Sequence, residues 1–334
     1  MQRRAFLKRV GVGTAVASVG GSLSGCIGQL TERGLPETVT VGYPSPALPV
    51  YNFALFPGLA DELADRDAEV EMEQFSGYTP MVSALIRGDI SVGVLSLTSL
   101  LRARSEEFPI VAPVGYTQEY AFALVTAPEI EGWEDLRGRT VALHSPSAVS
   151  TVTGRVMVDD RLGDPEAVDY EFIVGTPNRL SAIESGEADA AVVFVSGALQ
   201  AEREGYARTL GYPWEFDRLA DQTTVALVTP EEALEDRPRA IERLVDAATA
   251  TYERLYEADA GEITDRALAS GHFAEFPREV WIEAFEQVRD VEIWPRGQGL
   301  EAESIERASD VLVDTGMITE EQRLPREAFV PDIS

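Results

Sequence analysis

Residues 85–92 read LIRGDISV and residues 182–190 read AIESGEADA, two phrases that follow one pattern and decide the fold. In each phrase a helical run ends at a glycine, Gly88 or Gly186, and an acidic residue then leads into an apolar segment. Glycine readily adopts the left-handed conformation that terminates helices, so both phrases predict a helix C-cap followed by a buried strand. Two similar helix–strand units predict two similar lobes.

Strand and helix patterns alternate outward from both phrases. The predicted strands are 39–43, 68–75, 90–95, 120–126, 140–143, 169–174, 190–195 and 223–228. The predicted helices are 53–64, 79–87, 147–160, 178–185, 231–257, 262–270, 278–290 and 301–315. Short strands separated by helices of this length indicate an α/β fold with mainly parallel sheets.

The chain of 334 residues is strongly acidic, with 57 Asp and Glu against 28 Lys and Arg and a formal net charge of −29. Its one lysine, Lys8, lies near the N-terminus, so every later basic residue is arginine. This composition resembles that of proteins from extreme halophiles, in which molar salt screens the repulsion between carboxylates. Nucleic acid is not expected as a partner, because neutralising phosphates requires a basic patch.

The chain offers few residues for metal or redox chemistry. Its one cysteine, Cys26, cannot form an intramolecular disulfide, and its two histidines, His144 and His272, lie far apart in the sequence. No zinc site is expected without a Cys/His cluster. No cofactor and no catalytic set are predicted.

The first 25 residues are predicted to be an export signal. Residues 1–9 read MQRRAFLKR, and a weakly apolar, Gly-rich run follows, which is typical of a secretory leader. The twin arginine resembles a Tat signal, with Gln2 in place of the usual Ser or Thr. Residues 23–26, LSGC, resemble a lipobox, so Cys26 is the predicted lipidation site and residues 26–36 the tether. The alternative is a buried cysteine in a turn of small residues.

Five segments occur in an order that resembles the substrate-binding proteins of ABC importers for nitrate, sulfonates, taurine and thiamine precursors. They are 39–43 (VTVGY), 69–77 (EVEMEQFSG), 84–90 (ALIRGDI), 135–142 (DLRGRTVA) and 182–190 (AIESGEADA). Ser91 departs from the pattern, since that family often has an acidic residue there. This departure leaves the implied fold unchanged, but it weakens the transfer of a particular ligand from the family to this chain.

The resemblance implies a two-lobed, periplasmic-binding-protein-like fold of type II, hinged by crossover strands near 122–127 and 223–229. Lobe 1 is expected to comprise residues 37–123 and 228–334, including a helical tail, and lobe 2 residues 124–227. The implied function is capture of a small solute in the interlobe cleft and its delivery to an ABC permease. The protein is then expected to be a monomer, lipid-anchored at the extracellular face of the cell membrane, and to close by a hinge motion.

Loops that follow strands are expected to line this cleft, because strand C-termini and helix N-termini converge there. The candidate ligand-binding residues are Tyr43, Ser45, Ser76, Gly77, Tyr78, Thr79, Ser96, Thr98, Gln118, Tyr120, Ser145, Ser147, Thr176, Asn178 and Arg179. Each has a structural alternative: hydroxyls such as those of Ser76 and Thr79 are equally typical of helix N-caps. His144 is a further candidate donor, although a histidine at a strand end is usually satisfied by backbone.

The sequence leaves open the chemical class of the ligand and two alternative functions. Arg179 and the helix N-termini favour an oxyanion, whereas the tyrosines favour a flat heterocycle. The alternative functions are an enzyme on the same fold, in pyrimidine or menaquinone-precursor synthesis, and a tethered ligand sensor. An enzyme of that kind needs a reactive His, Lys or Cys set, and the chain beyond Cys26 has no lysine and two histidines.

Overall fold

The computed structural model describes residues 38–44, 48–146 and 148–333. The strands in these residues are β1 (Thr38–Tyr43), β2 (Glu69–Gln74), β3 (Val92–Ser96), β4 (Ile110–Thr117), β5 (Phe122–Thr126), β6 (Thr140–Leu143), β7 (Asp169–Phe172), β8 (Ala190–Phe194), β9 (Arg208–Gly211) and β10 (Val225–Pro230). The α-helices are α1 (Ala60–Ala64), α2 (Tyr78–Arg87), α3 (Leu97–Ser105), α4 (Val149–Leu162), α5 (Thr176–Ser185), α6 (Val195–Glu204), α7 (Ala233–Asp236), α8 (Pro238–Glu257), α9 (Ala260–Ala269), α10 (Arg278–Asp290) and α11 (Ala302–Asp314).

Several sequence predictions fall outside the described residues. They are the signal peptide (1–25), the tether (26–36), the lipidation site Cys26 and the candidate contacts Ser45 and Ser147. Among the helices that the structure does describe, none is both long enough and apolar enough to span a bilayer.

The strands form two five-stranded mixed sheets with the same topology, in the orders β2-β1-β3-β10-β4 and β7-β6-β8-β5-β9. In the first sheet β1 pairs in parallel with β2 and β3, while β10 runs antiparallel to β3 and β4. In the second, β6 pairs in parallel with β7 and β8, while β5 runs antiparallel to β8 and β9. Four strands of each sheet therefore point the same way, which confirms the predicted two-lobed α/β fold with mainly parallel sheets.

The two repeated phrases occupy equivalent places in the two sheets. Helix α2 ends at Gly88 with φ 77°, and α5 ends at Gly186 with φ 75°, the left-handed conformation that the sequence predicts. The strands that follow, β3 and β8, are the central strands of their sheets and are almost wholly buried. The repetition in sequence is thus a repetition in structure.

Two chain segments, here called the connectors, join the sheets: residues 118–121 lead from β4 to β5, and residues 212–224 lead from β9 to β10. They run side by side, since the Gln222 amide donates to the Gln118 carbonyl at 3.0 Å. The expected crossover strands, 122–127 and 223–229, therefore lie differently, because β5 pairs only within the second sheet and β10 only within the first. The expected boundary at 227/228 cuts β10, which belongs to the first sheet from Val225 onward.

Proline divides two helices that the sequence predicted as continuous. The predicted helix 53–64 is a 3₁₀ turn, a π turn and α1, with Phe56 extended (φ −131°, ψ 118°) just before Pro57. The predicted helix 231–257 is α7 and α8, separated at Arg237 (φ −141°) just before Pro238. Steric clash with the proline ring disfavours the helical conformation in the preceding residue, which explains both breaks.

The C-terminal helices cover one face of the first sheet and reach the interlobe cleft. Trp281 of α10 and Trp294, which follows that helix, are buried in a cluster with Phe53 and Phe285. The indole of Trp281 donates to the carbonyl of Phe273 at 3.0 Å, which fixes the loop between α9 and α10. That loop contributes part of the cleft wall.

Candidate functional site

A cleft lies between the two sheets, at the edge where their parallel strands end. It consists of two cavities of about 650 and 340 Å³. Both cavities are lined by Pro44, Phe122, His144, Ala148, Val149 and Phe194. Ligand sites in open α/β sheets lie beyond the carboxyl ends of the strands, so the cleft occupies the place that the fold predicts.

The smaller cavity brings together seven of the predicted site residues. They are Tyr43, Ser76, Gly77, Tyr78, Ser96, Tyr120 and Ser145. The Ser96 hydroxyl accepts from the Ser99 amide at 3.2 Å and so caps α3, which is the structural alternative for this residue. Helix α2 has no side-chain cap, because its N-cap is Gly77, and both Gly77 and Tyr78, the first residue of the helix, line this cavity.

The larger cavity brings together three more predicted residues, Thr176, Asn178 and Arg179, at the start of α5. Arg179 is 2% exposed, and its guanidinium donates to the carbonyls of Val192 (2.8 Å) and Ile173 (2.9 Å). Its Nη2 also donates to the Thr176 hydroxyl at 3.3 Å. Burial lowers the pKa of Arg179 to about 10. Most of its donors are therefore used by the protein rather than directed at a solute.

His144, which follows β6, lies where the two cavities meet. Its Nδ1 is 3.3 Å from the Gly175 amide and 3.2 Å from Nη1 of Arg179. Burial, and secondly the charge of Arg179, lower the pKa of His144. The imidazole is therefore neutral at neutral pH.

Two phenylalanines that the sequence did not single out form an aromatic wall shared by both cavities. The rings of Phe122 and Phe194 stack with centroids 4.9 Å apart and an interplanar angle of 16°. The two residues are register partners across the antiparallel pair β5 and β8. This pairing could not be read from the sequence, because the two residues lie on strands far apart in the chain.

Two carboxyl groups also line the cleft and were missed. Glu119 of the first connector lies in the smaller cavity wall, and Glu275 of the α9–α10 loop in the larger. Burial is the main cause that raises the pKa of each, to about 7 for Glu119. Glu275 lies in a loop between two helices, away from the strand ends used to choose candidates, whereas Glu119 lies between two chosen candidates, Gln118 and Tyr120.

Three predicted contacts do not line the cleft. Thr79 is exposed on α2, and Thr98 is buried in α3. Gln118 lines a separate cavity together with Asp221, and its side chain donates to the Glu292 carbonyl at 3.0 Å. The sequence predicted that the loops after these strands lie near the cleft. It did not predict which of the side chains in and after those loops face it. Among the described residues, no group of three or more His, Cys, Asp or Glu side chains is placed to hold a metal ion.

Two similar α/β lobes, two connectors and a cleft between the lobes define a periplasmic-binding-protein-like fold. A family model described as NMT1/THI5 like matches residues 63–260, more than half of the chain, and the chain belongs to that family. A comparison with curated proteins gave no significant match.

Solved structures share the fold at low sequence identity. The ligand-binding component of an ABC-type import system from Staphylococcus aureus, solved with zinc bound, has a TM-score of 0.69 and 13% identity and covers 88% of this chain and 96% of that chain. The periplasmic aliphatic sulphonate binding protein SsuA from Escherichia coli has a TM-score of 0.66 and 15% identity, covering 90% and 93%. The Candida albicans CA3427 gene product, described as having the generic periplasmic binding protein fold, has a TM-score of 0.67 and 14% identity, covering 89% and 96%.

Proposed function

We propose that this chain is the solute-binding component of an ABC importer and that it holds a small solute between its two lobes. The observation that carries the proposal is a cleft whose walls come from both sheets, beside the two connectors that join them. Such a geometry suits hinge closure around a bound molecule. Among the structural relatives, the Staphylococcus aureus protein is described as the ligand-binding component of an ABC-type import system and the Escherichia coli protein as a sulphonate-binding protein, which supports the same function.

The cleft lining favours an organic solute with a flat ring over a small inorganic anion. The stacked Phe122 and Phe194 provide an apolar face. Arg179 is largely occupied by protein carbonyls, and Glu119 and Glu275 add negative potential when ionised. Of the two ligand classes left open by the sequence, a thiamine-precursor-like heterocycle therefore fits this lining better than a nitrate-like anion.

Binding without conversion is the test. Hydroxymethyl-aminopyrimidine, riboflavin, taurine and nitrate are each added at high salt, and the melting temperature and the chemical identity of the probe are measured. A ligand that binds only the folded state at 100 times its Kd stabilises it by about 2.7 kcal/mol, so a heterocycle is expected to raise the melting temperature. Conversion of a probe would instead support the enzyme alternative, and stabilisation by nitrate alone would contradict the ligand class.

A matched pair of variants locates the binding. Phe194→Ala removes half of the aromatic wall and is expected to lower affinity for the heterocycle about tenfold or more. Phe172→Ala removes an exposed phenylalanine that does not line the cleft and is expected to leave affinity unchanged. Equal affinity in both variants would remove the ring-stacking argument.

We further propose that the protein leaves the cell by the Tat route and is held at the extracellular face of the cell membrane by lipid on Cys26. The support lies in the sequence: the twin arginine at positions 3 and 4 and the LSGC segment at 23–26. Cys26→Ser is expected to move the protein from the membrane fraction to the medium, while Arg3→Lys with Arg4→Lys retains it inside. As part of the same proposal, the protein is a monomer and delivers its solute to an ABC permease in the membrane. A ligand response that signals without solute uptake would favour the sensor alternative.

A further inference from the structure

The imidazole of His144 is held in one tautomer by two groups that can only donate. A backbone amide such as that of Gly175 has one N–H and no acceptor, and an arginine guanidinium has five N–H groups and no acceptor. Both point at Nδ1 of His144, at 3.3 and 3.2 Å. Nδ1 must therefore carry its lone pair, and the proton of the neutral ring must lie on Nε2.

Neither donor is free to turn away from the ring. Arg179 is fixed by its bonds to the carbonyls of Val192 and Ile173, and Gly175 lies at the N-cap of α5. Lowering of the His144 pKa by burial and by Arg179 agrees with a neutral ring. The tautomer is thus set by the second lobe before any solute arrives.

The His144 side chain lies in the wall of the cleft. Nδ1 lies toward α5, whereas no side chain or backbone group in the described residues forms a hydrogen bond with Nε2. His144 is partly exposed and belongs to the wall of both cavities, as do the stacked Phe122 and Phe194. An N–H group at such a place is a donor in need of a partner.

We propose that His144 binds the solute by donating its Nε2–H to a hydrogen-bond acceptor, a ring nitrogen or carbonyl oxygen of a heterocycle, and that Arg179 is a positioning residue for this donor. The proposal rests on the solute-binding function proposed above and names a contact within that same cleft. It implies that the solute carries an acceptor at the edge of its ring, close to the Phe122 and Phe194 wall.

The tautomer can be measured without any solute. The chain has two histidines, so long-range ¹H–¹⁵N correlation spectra of the wild type and of His272→Gln assign the His144 ring. At pH 7.5 the Nε2–H tautomer is expected, with Nδ1 unprotonated. A ring protonated on Nδ1, or charged at that pH, would overturn the proposal even if the protein binds solutes.

The role of Arg179 has its own readout in the same spectra. Arg179→Gln removes the fixed cationic donor, so a mixture of tautomers and a higher titration midpoint for His144 are expected. If this variant does not fold, the wild-type spectrum still decides the tautomer. Unchanged His144 signals in a folded Arg179→Gln protein would show that Arg179 does not position the ring.

Two substitutions at His144 separate the acceptor from the donor. His144→Asn places an amide oxygen near the position of Nδ1, so it keeps an acceptor for Gly175 and Arg179 but lacks the Nε2 donor. His144→Gln reaches the Nε2 position with a donor but lacks the acceptor. A neutral hydrogen bond contributes about 0.5–1.5 kcal/mol, so His144→Asn is expected to bind hydroxymethyl-aminopyrimidine about 2- to 10-fold more weakly than wild type.

A change of probe completes the cycle. The benzene analogue of hydroxymethyl-aminopyrimidine lacks the ring nitrogens, so the wild type is expected to prefer the pyrimidine and His144→Asn to lose most of that preference. Equal preference in both proteins would overturn the donor role. Failure of the wild type to bind either probe would count against the proposed ligand class, and the tautomer spectrum would still test His144 independently.

Discussion

Glu119 is a buried carboxyl group in the first connector whose two oxygens have different environments. Oε1 accepts from the Asp221 amide at 2.9 Å, whereas Oε2 is buried without a hydrogen-bond partner. Burial raises the pKa of Glu119 to about 7; the charge of Asp221 adds to this, while the Asp221 amide and Arg307 oppose it. The folded protein therefore holds a proton there at a pH at which the unfolded chain, with an ordinary glutamate, has released it.

Glu119→Gln is expected to change the pH dependence of stability. Because the pKa is raised on folding, the stabilisation is complete below about pH 4.5 and is lost as the pH rises through about 7, an effect of about 3 kcal/mol. The glutamine variant is expected to lose less stability than the wild type between pH 5 and pH 8, measured by urea denaturation. Glu129→Gln, at an exposed position, serves as the control, and parallel curves for all three proteins would refute a buried protonated carboxyl.

The pKa shift of His144 lowers stability at low pH, whereas that of Glu119 lowers it at high pH, so the two groups can be distinguished. The pKa of His144 is lowered on folding, so its contribution is complete above the ordinary histidine value of 6.5 and is lost as the pH falls below it. In His144→Asn this loss at low pH is expected to disappear while the Glu119 dependence stays. A single variant that removed both dependences would contradict the assignment.

Strand β4 is held between a helix and a loop at Gly115, where no side chain fits. The Gly115 amide donates to the Gln298 carbonyl at 2.7 Å, and the Tyr252 hydroxyl donates to the Gly115 carbonyl at 2.9 Å. A Cβ at this position would overlap the backbone carbonyl of Gly299. The strand cannot shift to relieve the overlap without breaking these bonds.

Gly115→Ala is expected to destabilise the protein by about 2–4 kcal/mol, because the clash is with backbone and not with a flexible side chain. Gly132→Ala is the matched control: Gly132 has φ −149° and only ordinary contacts around an added Cβ. Thermal denaturation of both variants measures the difference. Equal melting temperatures would show that the 295–299 loop can yield, so that β4 is not clamped.

The same strand shows how far the elements could be predicted. Gly88 and Gly186 ended their helices as expected, since the signal is local. Strand β4 was missed because Pro113 and Gly115 interrupt it, although all eight of its residues are buried. The breaks before Pro57 and Pro238 had a local signal that was outweighed by the apolar periodicity around them. Features set by neighbouring residues could be predicted from the sequence, whereas the burial of a strand by segments distant in the chain could not.

The site follows the same division. Of the fifteen candidates chosen from the sequence, ten line the cleft. Their contact with a solute stays a prediction. The Phe122 and Phe194 wall depends on the register of β5 against β8, and the neutral ring of His144 depends on Arg179 folding back from α5. Both are products of strand pairing and helix placement, which short sequence patterns do not encode.

At the scale of the whole molecule, the dominant feature is the net charge of −29. Ion pairs neutralise some carboxylates locally without changing this total: Arg218 contacts Asp159 and Asp160, and Arg254 contacts Glu62. These pairs are at least partly exposed and stabilise little individually. Because acidic residues outnumber basic ones by about two to one, most of the remaining carboxylates repel one another in the compact state.

Salt is therefore expected to stabilise the protein by screening. The Debye length falls from about 10 Å at 0.1 M to about 3 Å at 1 M, which removes most repulsion between separated surface charges. For a chain of this length, a gain of about 2 kcal/mol corresponds to a rise of about 3 °C in melting temperature, measured in KCl between 0.1 and 2 M. Sucrose at matched osmolality stabilises by exclusion without screening, so it is expected to give a smaller rise. If sucrose and KCl raised the melting temperature equally, or if KCl lowered it, repulsion among carboxylates would not be what limits the stability of this fold, and its acidic surface would need another explanation.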